Sequence, residues 1–278
     1  MTVHEALVEG IKALRYFALP SPELDAEVLL AAILRTTKED LSRRPEREVA
    51  KTRLTKYQDA ILRRGKHEPI AYITGRKEFY GRDFVVSNHV LVPRPESELL
   101  IEEALTRLPP DQHRLVADIG TGSGCLAVTL ACERPKIHVV ATDIMPEALR
   151  VAQTNAIRHR VASRVDVVHG DFLHAIHQRH LDLCIANLPY VPESEVLANP
   201  DLMYEPIIAL RGKLGPEKTL AEFLRQWYER EQRPTTLIEI HPNQATQVLK
   251  ENEKIGVHVT IKKDLAGRER MAILEAKY

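Results

Sequence analysis

The sequence predicts a doubly wound α/β domain behind a small helical bundle, and three observations carry that expectation. Beyond Pro95, seven apolar and β-branched runs are separated mostly by helix-length segments, and a glycine-rich turn follows the first run. Residues 3–66, in contrast, carry apolar positions at helical spacing without strand-like alternation. A chain of 278 residues has room for two domains, because compact domains usually hold about 100–200 residues.

In the helical part, Leu7, Ile11 and Leu14 fall on one face and Leu24, Val28 and Ala31 on another. Pro20 closes the first helix. Ser21-Pro22 restarts the next, with a hydroxyl at the N-cap and proline at the first helical position. Residues 41–67 are rich in basic side chains, among them Arg43, Arg44, Arg63 and Arg64, which reads as a solvated helix face. Residues 1–69 are therefore expected to form the helical domain. Between 70 and 92, aromatic and β-branched residues broken by Gly75, Gly81 and Asn88 predict a β-hairpin linker. Over 93–278, strands are expected at 115–119, 137–142, 165–169, 181–186, 235–240, 257–262 and 271–275. Residues 263–270 are too few for a parallel crossover of about a dozen residues, so the last strand is expected to be antiparallel.

Lys and Arg number 39, as do Asp and Glu, and the resulting net charge of +0 leaves no global field to draw the chain onto nucleic acid or anionic membrane. The start of the chain has no signal pattern, and no apolar run approaches the roughly 18 residues needed to cross a bilayer. A cytoplasmic monomer without nucleic-acid or membrane contact is expected. Cys125, Cys132 and Cys184 are odd in number and form no C-x-x-C pair, as reduced core thiols do. His159, His169, His174, His177 and His180 crowd one region, but no carboxylate or cysteine completes a ligand set, and no metal is expected.

Asp118-Ile119-Gly120-Thr121-Gly122-Ser123-Gly124 follows the first strand and opens a helix at Cys125, where backbone must turn tightly and approach a ligand. A dinucleotide fingerprint needs glycine where Cys125 stands, so NAD fits poorly. Asp143 ends the second strand at the spacing of a ribose acceptor. Asp171 can accept from an adenine amino group beside the Phe172 ring. Together these positions specify an adenosine without phosphates.

Asn187-Leu188-Pro189-Tyr190 follows the fourth strand, at the edge where open α/β sheets bind ligands. An amide or aromatic amine nitrogen has a delocalised lone pair and needs acceptors to hold its hydrogens and aim it at an electrophile. The Asn187 side-chain oxygen and the Leu188 carbonyl are suitable acceptors, Pro189 biases Leu188 towards extended backbone, and Tyr190 offers a ring to a flat substrate group.

These motifs resemble those of the HemK-type peptide chain release factor N5-glutamine methyltransferases, over nearly the whole chain. Leu24-Asp25-Ala26-Glu27, the stretch from Glu68-Pro69-Ile70 through Tyr72 to Gly75, and Pro93-Arg94-Pro95-Glu96 are similar to stretches of that family. The resemblance implies a Rossmann-like class I methyltransferase domain with a seven-stranded sheet, and S-adenosylmethionine as methyl donor, leaving S-adenosylhomocysteine. Donor binding would fall to Gly120, Thr121, Gly122, Ser123, Gly124, Asp143, Asp171, Phe172 and Asn187. It further implies that Asn187, Leu188, Pro189 and Tyr190 bind the glutamine of a Gly-Gly-Gln loop, with Asn187 and Tyr190 catalytic, and that the helical domain docks a class-1 release factor in support of translation termination.

The sequence departs from the family at Leu188, where proline is usual, at 209–218, where a glycine- and aspartate-rich turn is usual, and at His241, which replaces a glycine and is assigned no catalytic role. Asn-Leu-Pro-Tyr is also the form of ribosomal-RNA adenine dimethyltransferases. An adenine-N6 methyltransferase acting on RNA or DNA is therefore the competing enzyme reading. A non-enzymatic nucleoside-binding protein is the third, although it has no need of Asn187 and Tyr190 beside the glycine turn.

Overall fold

Thr2 opens the first helix: its hydroxyl accepts the Glu5 N–H at 3.2 Å while the Glu5 carboxylate accepts the Thr2 N–H at 2.8 Å, which satisfies two groups that a helix start leaves free. The computed structural model describes residues 1–176, 179–253 and 256–276. The chain divides into two compact units, Met1–Arg76 with Asn199–Tyr204, and Lys77–Ala198 with Glu205–Tyr278.

The first unit holds α1 (Val3–Tyr16), α2 (Pro22–Leu34), α3 (Lys38–Arg43), α4 (Lys51–Gly65) and α5 (Ile70–Thr74). Helix α1 buries Val3, Ala6, Gly10 and Leu14, a three-and-four spacing that faces α2 and α4. Each fully buried leucine here, such as Leu14, Leu29 or Leu30, contributes about 1.5–3 kcal/mol. Gly10 has to lack a side chain, since a Cβ there would lie 2.1 Å from the Tyr57 hydroxyl oxygen.

Two sequence expectations change in this unit. Ser21 does occupy the N-cap of α2, but its hydroxyl donates to Asp25 Oδ1 at 3.0 Å and makes no capping bond. Arg64 is not on a solvated face. It is 5% exposed and bridges Asp25 at 2.7 Å and Asp201 at 2.9 Å. A guanidinium taken from water requires such paired carboxylates, and Asp25 as its partner also draws the Ser21 hydroxyl.

Over 70–92 the chain forms α5, then a hairpin of β1 (Arg76–Phe79) and β2 (Arg82–Val85), then an irregular segment. Tyr80 and Gly81 turn the hairpin with φ of 51° and 71°, the left-handed pair whose twist matches flanking strands. Buried Asn155 ties β2 to the glycine turn: its Oδ1 accepts the Val85 N–H at 2.8 Å, and its Nδ2 donates to the Val85 and Ser123 carbonyls at 2.9 and 2.8 Å.

All seven expected strands form one sheet. They are β3 (Arg114–Ile119), β4 (Ile137–Asp143), β5 (Val165–His169), β6 (Leu183–Asn187), β7 (Thr235–Glu239), β8 (Val257–Lys263) and β9 (Glu269–Ala276), in the order β5-β4-β3-β6-β7-β9-β8. Strands β3 to β7 pair in parallel, and β9 runs antiparallel between β7 and β8. Alternate residues face opposite layers: Val116, Ile185 and Leu237 join one core, Ala117, Cys184 and Ile238 the other. The first core is covered by α6 (Glu98–Arg107), α7 (Cys125–Glu133) and α8 (Pro146–Arg158). After α9 (Glu193–Ala198) and α10 (Ile207–Arg211), the second core is covered by α11 (Pro216–Tyr228) and α12 (Ala245–Glu253). The chain leaves β3 towards β4 on one side and is joined by β6 on the other, so a crevice opens at the carboxyl ends of these central strands. Among the described residues, no helix is long and apolar enough to cross a membrane.

Candidate active site

The register brings the ends of three strands together at this crevice. Ile119 pairs with Thr142 and with Ala186, which sets Asp143 and Asn187 on either side of the glycine turn, and Asn187 pairs with Glu239. Asn187 is thus the last residue of β6, not the first of a loop.

Gly120, Gly122 and Gly124 all have left-handed φ, at 71°, 54° and 78°. Below them Asp118 is fully buried, with Oδ2 accepting the Thr121 hydroxyl at 2.6 Å and the Ala127 N–H at 3.1 Å. Its Oδ1 has no hydrogen-bond partner among the described residues, and burial pushes its pKa up to about 7. Asp143 braces the turn from the neighbouring strand: Oδ2 accepts the Gly122 N–H and Oδ1 the Met145 N–H, both at 2.9 Å. Burial raises the Asp143 pKa, and these N–H donors oppose the shift.

A cavity of about 290 Å³, near the lower end of small-molecule sites, opens above this arrangement. Gly120, Thr121, Gly122 and Ser123 line it, as do Asp143 and the Asp171-Phe172 pair. Asn187 and Pro189 line the same cavity. A Cβ on Gly122 would meet nothing nearer than the Gly120 carbonyl at 4.0 Å, and one on Gly120 only the Asn187 carbonyl at 3.6 Å. The turn is therefore a cradle with space for a ligand at the backbone, as the expected adenosine requires. Phe172 holds φ at 45° and meets the Phe223 ring edge-on at a centroid distance of 6.0 Å, which presents its side chain at the cavity wall.

Three expected site residues stand outside the lining. Gly124 caps α7 and packs on α8, Leu188 is buried in the second core, and the Tyr190 hydroxyl donates to Glu239 Oε1 at 2.5 Å. Burial raises the Tyr190 pKa, with the Glu239 charge acting in the same direction. A Cβ at Gly124 would sit 3.0 Å from both Cα and Cβ of Ala152. Gly124→Ala is therefore expected to cost about 1–3 kcal/mol, from left-handed strain and displacement of α8, measurable as a lower melting temperature.

Several groups were not legible as site residues. Ser97 and Glu239 are each 2% exposed and hydrogen-bond at 2.6 Å, and Asn187 Nδ2 donates to the Ser97 hydroxyl at 2.8 Å. No local signal in the sequence couples side chains 142 positions apart. Burial raises the Glu239 pKa, opposed by the Ser97 and Tyr190 hydroxyls and by the Arg270 charge. Arg94 pairs with buried Glu205, whose other oxygen accepts the Val92 N–H at 2.9 Å, which anchors the segment leading to Ser97. The departing segment at 209–218 also reaches the cavity, through Gly212, Lys213, Leu214 and Lys218.

The histidines find separate partners: His159 Nε2 meets the Asp83 carbonyl at 3.1 Å, His169 Nε2 the Ile144 carbonyl at 3.0 Å, and His174 Nε2 the Glu229 carboxylate at 3.3 Å. His177 lies outside the described residues. Among the described residues, no group of three or more histidine, cysteine or acidic side chains suited to a metal gathers. His241 caps the turn Pro242–Gln244 and pairs with Glu195 at 3.3 Å.

A family described as "PrmC N-terminal domain" matches residues 5–75, and one described as "Methyltransferase small domain" matches residues 95–205. The chain is 46% identical over 196 residues to a release factor glutamine methyltransferase of Koribacter versatilis, covering 70% of this chain and 69% of that one. It is 41% identical over 218 residues to the protein of that name in Moorella thermoacetica, covering 78% and 76%. It spans 40% of the length of a bifunctional methyltransferase of Rickettsia typhi that it matches at 37% identity. Among solved structures, the hMettl16 catalytic domain in complex with a MAT2A 3′UTR hairpin superposes with a TM-score of 0.60 at 15% identity, over 86% of this chain and 85% of that one. That likeness is one of fold.

Proposed function

Because the chain belongs to the release factor glutamine methyltransferase family, we propose that it methylates the side-chain amide nitrogen (N5) of the glutamine in the Gly-Gly-Gln motif of class-1 release factors, in support of translation termination. The observation that carries this reading is that Asn187 and the glycine turn line one cavity. S-adenosylmethionine, when bound, supplies an electrophilic methyl group and leaves as S-adenosylhomocysteine.

On this reading the chain's own residues do three things. Gly120 to Ser123 cradle the donor, while Asp143 accepts from its ribose hydroxyls and Asp171 and Phe172 hold its adenine. The Asn187 side-chain oxygen and the Leu188 carbonyl accept the two hydrogens of the substrate amide, which fixes the nitrogen in line with the electrophilic carbon. Leucine at 188 supplies the same carbonyl as proline would, and Pro189 keeps that residue extended. Pro189 packs the flat amide, while Tyr190 stays on Glu239 behind it. Charge disperses in the transition state and the amide nitrogen gives up its extra proton to solvent after transfer, so positioning in an apolar site counts for more than a strong base. The helical unit helps dock the release factor. The names of the curated relatives favour glutamine over the adenine-N6 reading.

The test is mass spectrometry after incubation with S-adenosylmethionine. An intact class-1 release factor is expected to gain one methyl group on the Gly-Gly-Gln glutamine, with a kcat/KM well above that of a short Gly-Gly-Gln peptide. An unmodified glutamine, with the methyl instead on an adenine of structured RNA, would establish the competing reading. Equal kcat/KM for protein and peptide would remove the docking role of the helical unit.

A further inference from the structure

We infer that Ser97 and Glu239 are positioning residues that decide which end of the Asn187 amide faces the substrate. The inference rests on the proposed methyl transfer to an amide and adds a device that sets its polarity.

The two ends of an asparagine amide have nearly the same shape but opposite hydrogen-bonding character, oxygen accepting and nitrogen donating. Shape alone therefore cannot hold Asn187 with its oxygen towards a substrate N–H. Ser97 can, for a reason of valence. Its hydroxyl owns one proton, and that proton is directed at Glu239 Oε2 over 2.6 Å. The Ser97 oxygen is left only to accept, and the group 2.8 Å away must then be the Asn187 NH2. Oδ1, the other end of the amide, makes no hydrogen bond among the described residues, and Asn187 lines the cavity. A free Ser97 hydroxyl could rotate, donate to Oδ1 and let the amide reverse, which would set two N–H groups against a substrate that also donates.

Glu239 suits this task because each carboxylate oxygen accepts one hydroxyl, Ser97 on Oε2 and Tyr190 on Oε1 at 2.5 Å. One buried carboxylate thus orders both ends of Asn187-Leu188-Pro189-Tyr190. It stands beside Asn187 in the β6–β7 register, so the sheet itself delivers it there. Ser97 arrives from the turn Pro95–Ser97, is nearly fully buried and lines the cavity with Asn187.

The test is steady-state kinetics of the full chain on a Gly-Gly-Gln substrate, with Ser97→Ala, Asn187→Ala, the double variant and Glu239→Gln, each checked for folding by thermal melting. Ser97→Ala is expected to lower kcat by about tenfold or more while the donor Kd stays within about twofold. The double variant should be no slower than Asn187→Ala alone, because Ser97 acts only through that amide. Glu239→Gln should also lower kcat, since the two hydroxyls sit on different oxygens and the glutamine NH2 would replace one of them with a donor. A wild-type kcat in folded Ser97→Ala, or losses that multiply in the double variant, would overturn the inference even if Glu239→Gln failed to fold. If Asn187→Ala itself transfers methyl at the normal rate, the proposed reading of the site falls, and the inference with it.

Discussion

Replacing Asn187 by alanine is expected to lower the turnover number about 100-fold or more while donor affinity stays within about twofold. The side-chain oxygen is proposed to touch only the methyl-accepting amide, so its loss is felt as that nitrogen is aimed and its charge develops, not when the donor binds. Comparable transition-state contacts elsewhere are worth a factor of about 100–1,000. The fold should survive, because Asn187 is half-buried at the end of β6 and the backbone pairing with β3 and β7 is untouched. Single-turnover rates with saturating donor, set beside calorimetric titration of the donor alone, separate the two quantities. Equal losses in rate and donor affinity would move Asn187 from the substrate side of the site to the donor side.

Asp143→Ala should do the reverse and weaken donor binding about 10- to 100-fold, from about 1–3 kcal/mol for leaving ribose hydroxyls unpaired in a half-buried site. The structure adds a second reason for a loss of this size. Both carboxylate oxygens already accept backbone N–H groups, from Gly122 and Met145, so the same substitution loosens the turn that forms the cradle. Asp143→Asn keeps one acceptor oxygen and should fall between the two. Titration of S-adenosylmethionine with each variant reads this directly, and an unchanged Kd for Asp143→Ala would remove Asp143 from the donor site.

The expected residues that the structure gathers at the cavity share one property. The glycine turn, Asp143 and Asn187 each sit at or next to the end of a strand, where a local change from apolar run to glycine or polar residue marks the spot. Phe172 was legible as a ring beside a carboxylate, but not its left-handed backbone or its contact with Phe223. Leu188 and Tyr190 were read from their motif as site residues, yet one side chain enters the second core and the other turns to a buried carboxylate. Motif spacing gives the order of residues along the chain, while the direction of each side chain depends on what packs against it.

The sequence by itself determined the division into helices and sheet, the seven strands and the tight backbone of the glycine turn. These follow from periodicity and backbone requirements that act over a few residues. Tertiary structure alone decided that β9 enters between β7 and β8, that Arg64 is buried between Asp25 and Asp201, and that Ser97 and Glu239 meet behind Asn187. Each is a contact between segments far apart in the chain, and its energy arises only once folding has removed water. A carboxylate or guanidinium in solvent has no need of a particular partner, but in the interior an unpaired one costs several kcal/mol, about 3–5 where a buried pair is broken. Which polar groups meet is therefore settled by the packing that desolvates them.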